Sequence, residues 1–228
     1  TRIWIMIPTA LKVNGLFIKG GIAMKNTIIC IGRQYGSGGR EIGEKLAEQL
    51  GVVCYDKLLL QKTAKASGLA LETVKSEDEQ PVGLSSLVSG NPFADSAFLS
   101  QTFYSEELKV AQAEQQTILN LAQKGCCVFI GRCAASTLKN AGYDVLSVFV
   151  YGDADDKAQR IARRNGIDVK AALRKMQKVD HMRRRYCDFY SDTPWGDPSS
   201  YDLMLSSSSY GIDGAVRVIE KAWEEKNQ

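Results

Sequence analysis

The chain has 228 residues, 44% of them hydrophobic, enough to bury the core of one α/β domain with a small insert and a tight fit for two complete domains. Its formal net charge of +3 is too small to argue for a nucleic-acid partner, because the positive charge gathers at 157–185 and points instead to a local anionic ligand. Cysteines at 30, 54, 126, 127, 133 and 187 form no CxxC pair and His181 is the only histidine, which argues against a zinc site and reads as reduced thiols of a cytoplasmic protein.

The first 23 residues contain the apolar run Ile3-Trp-Ile-Met-Ile7, but Pro8, Lys12 and Lys19 interrupt it short of the roughly 20 apolar residues of a membrane span. No secretory-signal order is present, and Met24-Lys-Asn looks like a natural start. Residues 1–23 are therefore expected to be an N-terminal extension of unassigned role, and 24–228 a single domain. From there, short apolar runs at 27–32, 52–55, 126–131, 145–150 and 202–206 predict strands, and the helical patterns between them predict crossover units in a parallel sheet. Helices are expected from Arg40 to Leu50, with Ile42, Leu46 and Leu50 on one stripe and Gly51 as the stop, at 57–75 and 105–124, and from Ile212 to Trp223. Proline, glycine and serine break any period between Glu77 and Gln101, which predicts a lid-like loop, and the stretch from Tyr186 to Tyr201 reads as a second irregular segment.

The most informative segment is Thr27-Ile-Ile-Cys-Ile-Gly-Arg-Gln-Tyr-Gly-Ser-Gly-Gly-Arg-Glu-Ile42, an apolar strand running through a glycine cluster into a helix. Gly36, Gly38 and Gly39 can take backbone angles closed to other residues, so that consecutive N–H groups curl around an anion. The helix that follows adds its unpaired N–H groups and the positive end of its dipole. Against the standard phosphate loop, G-x-x-x-x-G-K-[ST], Gly39 stands at the lysine, Arg40 at the magnesium-binding Ser or Thr, and Arg33 at the first glycine. Either Arg40 or Arg33 is a candidate for the missing positive charge. The competing reading is a plain strand-to-helix turn without a ligand.

Further candidates lie downstream. The strand Val128-Phe-Ile ends in Gly131-Arg132, which delivers a guanidinium to the carboxyl edge of the sheet, either for a phosphate or for a structural carboxylate. Tyr55-Asp56 points a carboxylate at the same edge, for an acceptor, a magnesium-bound water or a helix cap. Arg160, Arg163 and Arg164, three and four apart, share a helix face that either covers a transferring phosphoryl group or is solvated. Asp180 and Arg183, with Arg184 beside them, suit a polar nucleotide group and phosphate, or make an ordinary intrahelical ion pair. Trp195 is expected to pack on the core, with base stacking as the alternative.

Together, Arg33-Gln-Tyr-Gly-Ser-Gly-Gly-Arg-Glu-Ile42, Gly131-Arg132, Asp180-His-Met-Arg183 and Trp195-Gly-Asp-Pro-Ser-Ser-Tyr-Asp-Leu203 resemble the cytidylate kinase-like family of P-loop nucleoside monophosphate kinases over roughly 24–222. The resemblance implies a three-layer α/β P-loop NTPase fold with a five-stranded parallel sheet in order 2-3-1-4-5, an acceptor-binding insert near 60–105 and a lid near 157–175. It implies ATP and Mg2+ as cofactors and CMP or dCMP as leading acceptors, with no nucleic acid and no membrane partner. Gly36, Ser37, Gly38, Gly39 and Arg40 would bind the donor phosphates, and Arg40, Arg160, Arg163 and Arg164 would serve catalysis. Asp56, Arg132, Asp180, Arg183 and Arg184 would bind the acceptor. The pattern departs at Cys133, where cytidylate kinases carry Asp, and at Gly39. A kinase of another small metabolite and a catalytically silent nucleotide-binding regulator remain as alternatives; the motifs assign neither the magnesium ligands nor an oligomeric state.

Overall fold

In a computed structural model of the chain, residues 11–13, 16–19, 22–24, 28–56, 59, 66 and 111–227 are described. Three short strands come first, β1 (Leu11–Val13), β2 (Leu16–Lys19) and β3 (Ile22–Met24), paired as an antiparallel meander in which Val13 faces Leu16 and Lys19 faces Ile22. Asn14-Gly15 and Gly20-Gly21 join them in the sequence, and such dipeptides are the strongest short hairpin signal.

The main sheet comprises β4 (Ile28–Arg33), β5 (Val53–Tyr55), β6 (Cys127–Ile130), β7 (Val145–Tyr151) and β8 (Leu203–Ser206). It is parallel throughout, in order β5-β6-β4-β7-β8, which is 2-3-1-4-5 counted from β4. Each expected strand lies within one residue of the observed one at either end. The runs are continuously apolar because both faces are covered, and successive residues serve opposite cores. Ile29 and Ile31 of β4, with Val128, Ile130, Val148 and Val150, pack against helix α1 (Gly39–Leu50) and the closing helix. Ile28 and Cys30 point the other way, toward Ile118 and Leu121 of α2 (helical over 111–122) and Leu138 of α3 (Ala134–Asn140). Ile42 and Leu46 have no exposed surface, and burying such a side chain stabilises by about 1.5–3 kcal/mol. All six cysteines are free thiols, and burial pushes that of Cys127 up to about 12, so it is a neutral core group.

After β7 the chain forms a helical hairpin, α4 (Ala154–Asn165) and α5 (Val169–Tyr190). Gly166 turns it at φ 63°, and the Asp168 carboxylate caps α5 by accepting the Ala171 N–H at 2.8 Å. The expected lid at 157–175 falls on this hairpin. Its small core of Ala158, Ile161, Ala172 and Met176 includes Tyr35 from the glycine loop, so the hairpin and the loop fold as one body. Helix α5 continues to Tyr190, into the segment expected to be irregular, where the Tyr186 and Tyr190 rings, one turn apart, lie tilted against each other at 4.7 Å. The closing helix α6 (Ser207–Lys226) starts earlier than expected and has one non-helical residue, Gly211, near the expected start at Ile212. The loop expected at 77–101, most of the helix at 57–75, the insert near 60–105 and residues 1–10 lie outside the described residues, although Leu59 and Ala66 are helical.

Candidate functional site

The glycine loop leaves β4 at the carboxyl edge of the sheet. Gln34 N–H donates to Val150 O at 3.0 Å and continues the strand ladder, and then Ser37 N–H and Oγ both donate to Gln34 O, at 3.3 and 2.8 Å. Gly36 and Gly38 adopt φ of 83° and 77°, the left-handed region expected from the sequence, and Ile42 N–H to Gly38 O opens α1. Gly38, as the N-cap, has no side chain to cap the helix, and the Gly39 N–H reaches Ser37 Oγ at 3.4 Å. The later N–H groups of the first turn are left for the cavity beside the helix start, as an anion site requires.

Residues 33–36 are held in turn by the helical hairpin. Arg183 donates to Arg33 O at 3.2 Å, Lys157 Nζ to Gln34 Oε1 at 2.6 Å, and Arg160 to Gly36 O at 2.6 Å. Tyr35 N–H donates to Asp180 Oδ1 at 2.6 Å, and the Arg164 guanidinium lies 5.0 Å from the centre of the Tyr35 ring. Asp180 also pairs with Arg183 at 3.9 Å, the intrahelical pair allowed by their spacing. Lys157 is only 6% exposed, and burial pushes its ammonium down, with Asp180 and then Asp153 pulling the other way.

Two cavities open on this frame. One of about 780 Å³ is bordered by the loop from Arg33 to Gly36, by Gly38, Gly39 and Arg40, and by Arg160 and Arg164. The other, about 340 Å³, lies over the ends of β4 and β6 and reaches Arg132, Tyr186, Trp195 and Tyr201. Arg33, Asp56 and Arg183 line both, so the cavities meet at a charged wall.

At the floor of the smaller cavity, Gly131, Arg132 and Cys133 all have positive φ, 78°, 60° and 51°. Two consecutive non-glycine residues in that region carry strain, which persists only where the surroundings fix it. Here the fixing group is Glu114, 2% exposed on α2: Oε1 lies 3.2 Å from Arg132 and Oε2 accepts a short hydrogen bond from the Tyr186 hydroxyl. Burial pushes the Glu114 carboxyl up to about 7, with Tyr186 opposing. On the far wall, Trp195 packs edge-on against Phe149 at 5.1 Å and Tyr201 packs on the same ring at 4.9 Å, so Trp195 has the core-packing role while also facing the cavity.

The remaining candidates divide clearly. Arg40 borders the loop cavity but is half exposed and pairs with Glu44 at 3.0 Å and Asp56 at 3.2 Å. Arg163 is exposed and Arg184 lies over the Trp195 ring at 5.7 Å; neither borders either cavity. Sequence reasoning missed Lys157, Gln34, Tyr35 and Glu114. Lys157 carried a signal, because it precedes Arg160 by three and Arg164 by seven, the stripe that faces the loop, whereas Arg163 falls on the other flank of the helix.

Comparison with known proteins agrees with this geometry. The model of the cytidylate kinase-like family matches residues 28–209. The chain is 27% identical over 205 residues to a cytidylate kinase of Methanococcus aeolicus, covering 88% of this chain and 99% of that one. It is 29% identical over 198 residues to a cytidylate kinase of Pyrococcus furiosus, covering 86% and 87%. Among solved structures, an uncharacterized protein from Eubacterium ventriosum superposes with a TM-score of 0.65 at 30% identity, covering 87% of this chain and 98% of that one. A shikimate kinase from Bacteroides thetaiotaomicron, at 13% identity and TM-score 0.51 over 87% and 98%, shares the fold alone. No helix among the described residues is long and apolar enough to cross a membrane. With the family model spanning most of the folded chain and the glycine loop in place at the sheet edge, the chain belongs to the cytidylate kinase-like family of phosphotransferases, on the P-loop kinase fold.

Proposed function

We propose that the protein transfers the γ-phosphate of ATP to a nucleoside monophosphate, with CMP or dCMP the leading acceptors. The observation that carries this reading is the wall of Arg33, Asp56 and Arg183 common to the two cavities, since a donor phosphate and an acceptor phosphate must meet across one charged boundary. The loop of Gly36, Ser37, Gly38, Gly39 and Arg40 holds the donor phosphates, and Arg160 and Arg164 cover them from α4. Arg132 and Arg183 face the acceptor, with Asp180 fixing the loop against α5. No general base is required, because the attacking phosphate oxygen is already ionised.

Magnesium fits the donor set: Asp56 faces both cavities and Glu44 the loop cavity, and one or two carboxylates plus substrate phosphates are the usual magnesium environment. When bound, it neutralises charge on the phosphates. The choice of cytosine rests on the archaeal cytidylate kinases that the chain resembles.

The test is ADP release with ATP and magnesium against a panel of nucleoside monophosphates and small hydroxylated metabolites. Turnover highest with CMP or dCMP is the expected result. Turnover with a non-nucleotide and none with CMP or dCMP would replace this reading by a metabolite kinase on the same fold. ATP binding without transfer to any acceptor would make the protein a nucleotide-binding regulator.

A further inference from the structure

The standard phosphate loop carries its cation on the lysine that follows the last glycine, and here that position is Gly39. The structure gives a steric reason. A Cβ on residue 39 would stand 2.6 Å from the Cβ of Arg33, 3.2 Å from its Cγ and 3.3 Å from the Val150 Cβ. The stem of Arg33 thus fills the space through which a side chain at 39 would leave the loop. Its guanidinium continues over Gly131, where a Cβ would collide with Arg33 Nη1 and lie 2.8 Å from Cζ. Two glycines on different segments make room for one arginine, which replaces the first glycine of the motif.

The end of that side chain is well placed. It lies at the seam of the two cavities, 16% exposed, with Asp56 at 3.9 Å. Arg40, the other candidate for the missing charge, is 53% exposed and turned toward Glu44 and Asp56. We infer that Arg33 supplies the charge of the absent lysine, its guanidinium bridging the transferring phosphoryl group of the donor and the phosphate of the acceptor. This deepens the kinase reading and rests on it. A planar fork of donors can engage two phosphate oxygens at once, whereas an ammonium is a point charge, so Arg33→Lys should not restore function.

The test is a position swap. Arg33→Gly, Gly39→Lys and the double variant are compared with the wild type by turnover with ATP and CMP and by thermal melting. Arg33→Gly is expected to fold and to lose about 10²–10³-fold in kcat, as removal of one preorganised charge stabiliser does. Gly39→Lys alone is expected to melt lower, because its Cβ meets Arg33. The double variant, which restores the first glycine and the lysine of the motif and keeps Arg40, is expected to regain at least ten-fold over Arg33→Gly. A double variant that folds and gains nothing, or an Arg33→Gly enzyme within three-fold of wild type, overturns the inference.

Arg33→Gln, which keeps the stem without the charge, decides the matter if the double variant melts out: retained turnover overturns it and a loss of the stated size supports it. Should the wild type phosphorylate no acceptor, the kinase reading fails by itself, and calorimetry with inorganic tripolyphosphate still tests Arg33. An affinity at least ten-fold weaker in Arg33→Gln supports the assignment of the charge, and unchanged affinity overturns it.

Discussion

Asp202, just before β8, and Ser147 of the neighbouring β7 grip each other. The Ser147 N–H and hydroxyl donate to Asp202 Oδ2 at 2.7 and 2.8 Å, while Asp202 N–H donates back to Ser147 O at 2.9 Å. Lys139 Nζ, 3.3 Å from Asp202, adds a charge. Burial alone would push this carboxyl up, but the Ser147 donors and Lys139 outweigh it and hold the carboxyl below its usual range. The folded value is thus lower than the unfolded one, so the stabilisation is complete above the unfolded pKa of about 4 and is lost as pH falls through the folded value. Asp202→Asn is expected to lose about 1–2 kcal/mol at pH 7. Urea unfolding at pH 7 and pH 3 checks this: the gap between the two proteins should narrow at the lower pH, and a constant gap would remove the carboxylate from the account.

The glycine loop offers a backbone test. Gly36 has φ 83°, and a Cβ there would stand 2.8 Å from both Ile161 Cδ1 and the Lys157 carbonyl of α4. The left-handed angle costs an L-residue about 1–2 kcal/mol, and the contact with a helix backbone cannot be relieved by a rotamer change. Gly36→Ala should therefore lower stability by at least that amount and push the hairpin off the loop. Measured ATP affinity should fall at the same time, and unchanged affinity in a destabilised protein would separate the loop from the donor site.

Lys157 separates stability from function. Burial pushes its pKa down, so the ammonium is held in the fold against its preference for water, and it donates to the neutral Gln34 amide at 2.6 Å. Lys157→Met keeps the stem volume but leaves Gln34 Oε1 without its short donor and removes the charge that Asp180 and Asp153 attract, so the relief of burying an ammonium is offset and the melting temperature is expected to fall only slightly. Gln34 then loses its tie to α4, and KM for ATP should increase several-fold. A large fall in melting temperature with unaltered kinetics would make Lys157 a purely structural group.

The sheet was legible because buried parallel strands are continuous apolar runs, and β4 to β8 stand out on that ground alone. Their order came from the family resemblance, since strand pairing leaves no trace in such runs. The meander at 11–24 carried Asn14-Gly15 and Gly20-Gly21 as hairpin signals, but its short strands were weighed only as a membrane or signal segment. In the site, the loop glycines could be read directly. The complementarity of Arg33, Gly39 and Gly131 could not, because it joins positions brought together only by the fold. Glu114 was hidden for a related reason: an acid among apolar positions of a helix looks solvent-facing until its partners Arg132 and Tyr186 arrive from other elements.

The basic stripe of α4 gives the sharpest contrast. Arg160 donates to Gly36 O and borders the loop cavity, Arg164 borders it beside Tyr35, and Arg163, only one residue away and exposed like Arg164, lies outside it. Sequence spacing made the three equivalent, but an α-helix turns 100° per residue, and the loop meets only the flank carrying Lys157, Arg160 and Arg164. Arg160→Ala removes a charged donor from a loop carbonyl and, in the proposed kinase reading, a guanidinium from the donor phosphates, so kcat/KM should fall by about 10²-fold or more. Arg163→Ala changes an exposed side chain and should stay within about 0.5 kcal/mol in stability and near wild type in turnover. Paired kinetics on the two variants checks the orientation of α4 directly: equal losses would mean that the hairpin rotates on nucleotide binding, bringing the third arginine inward.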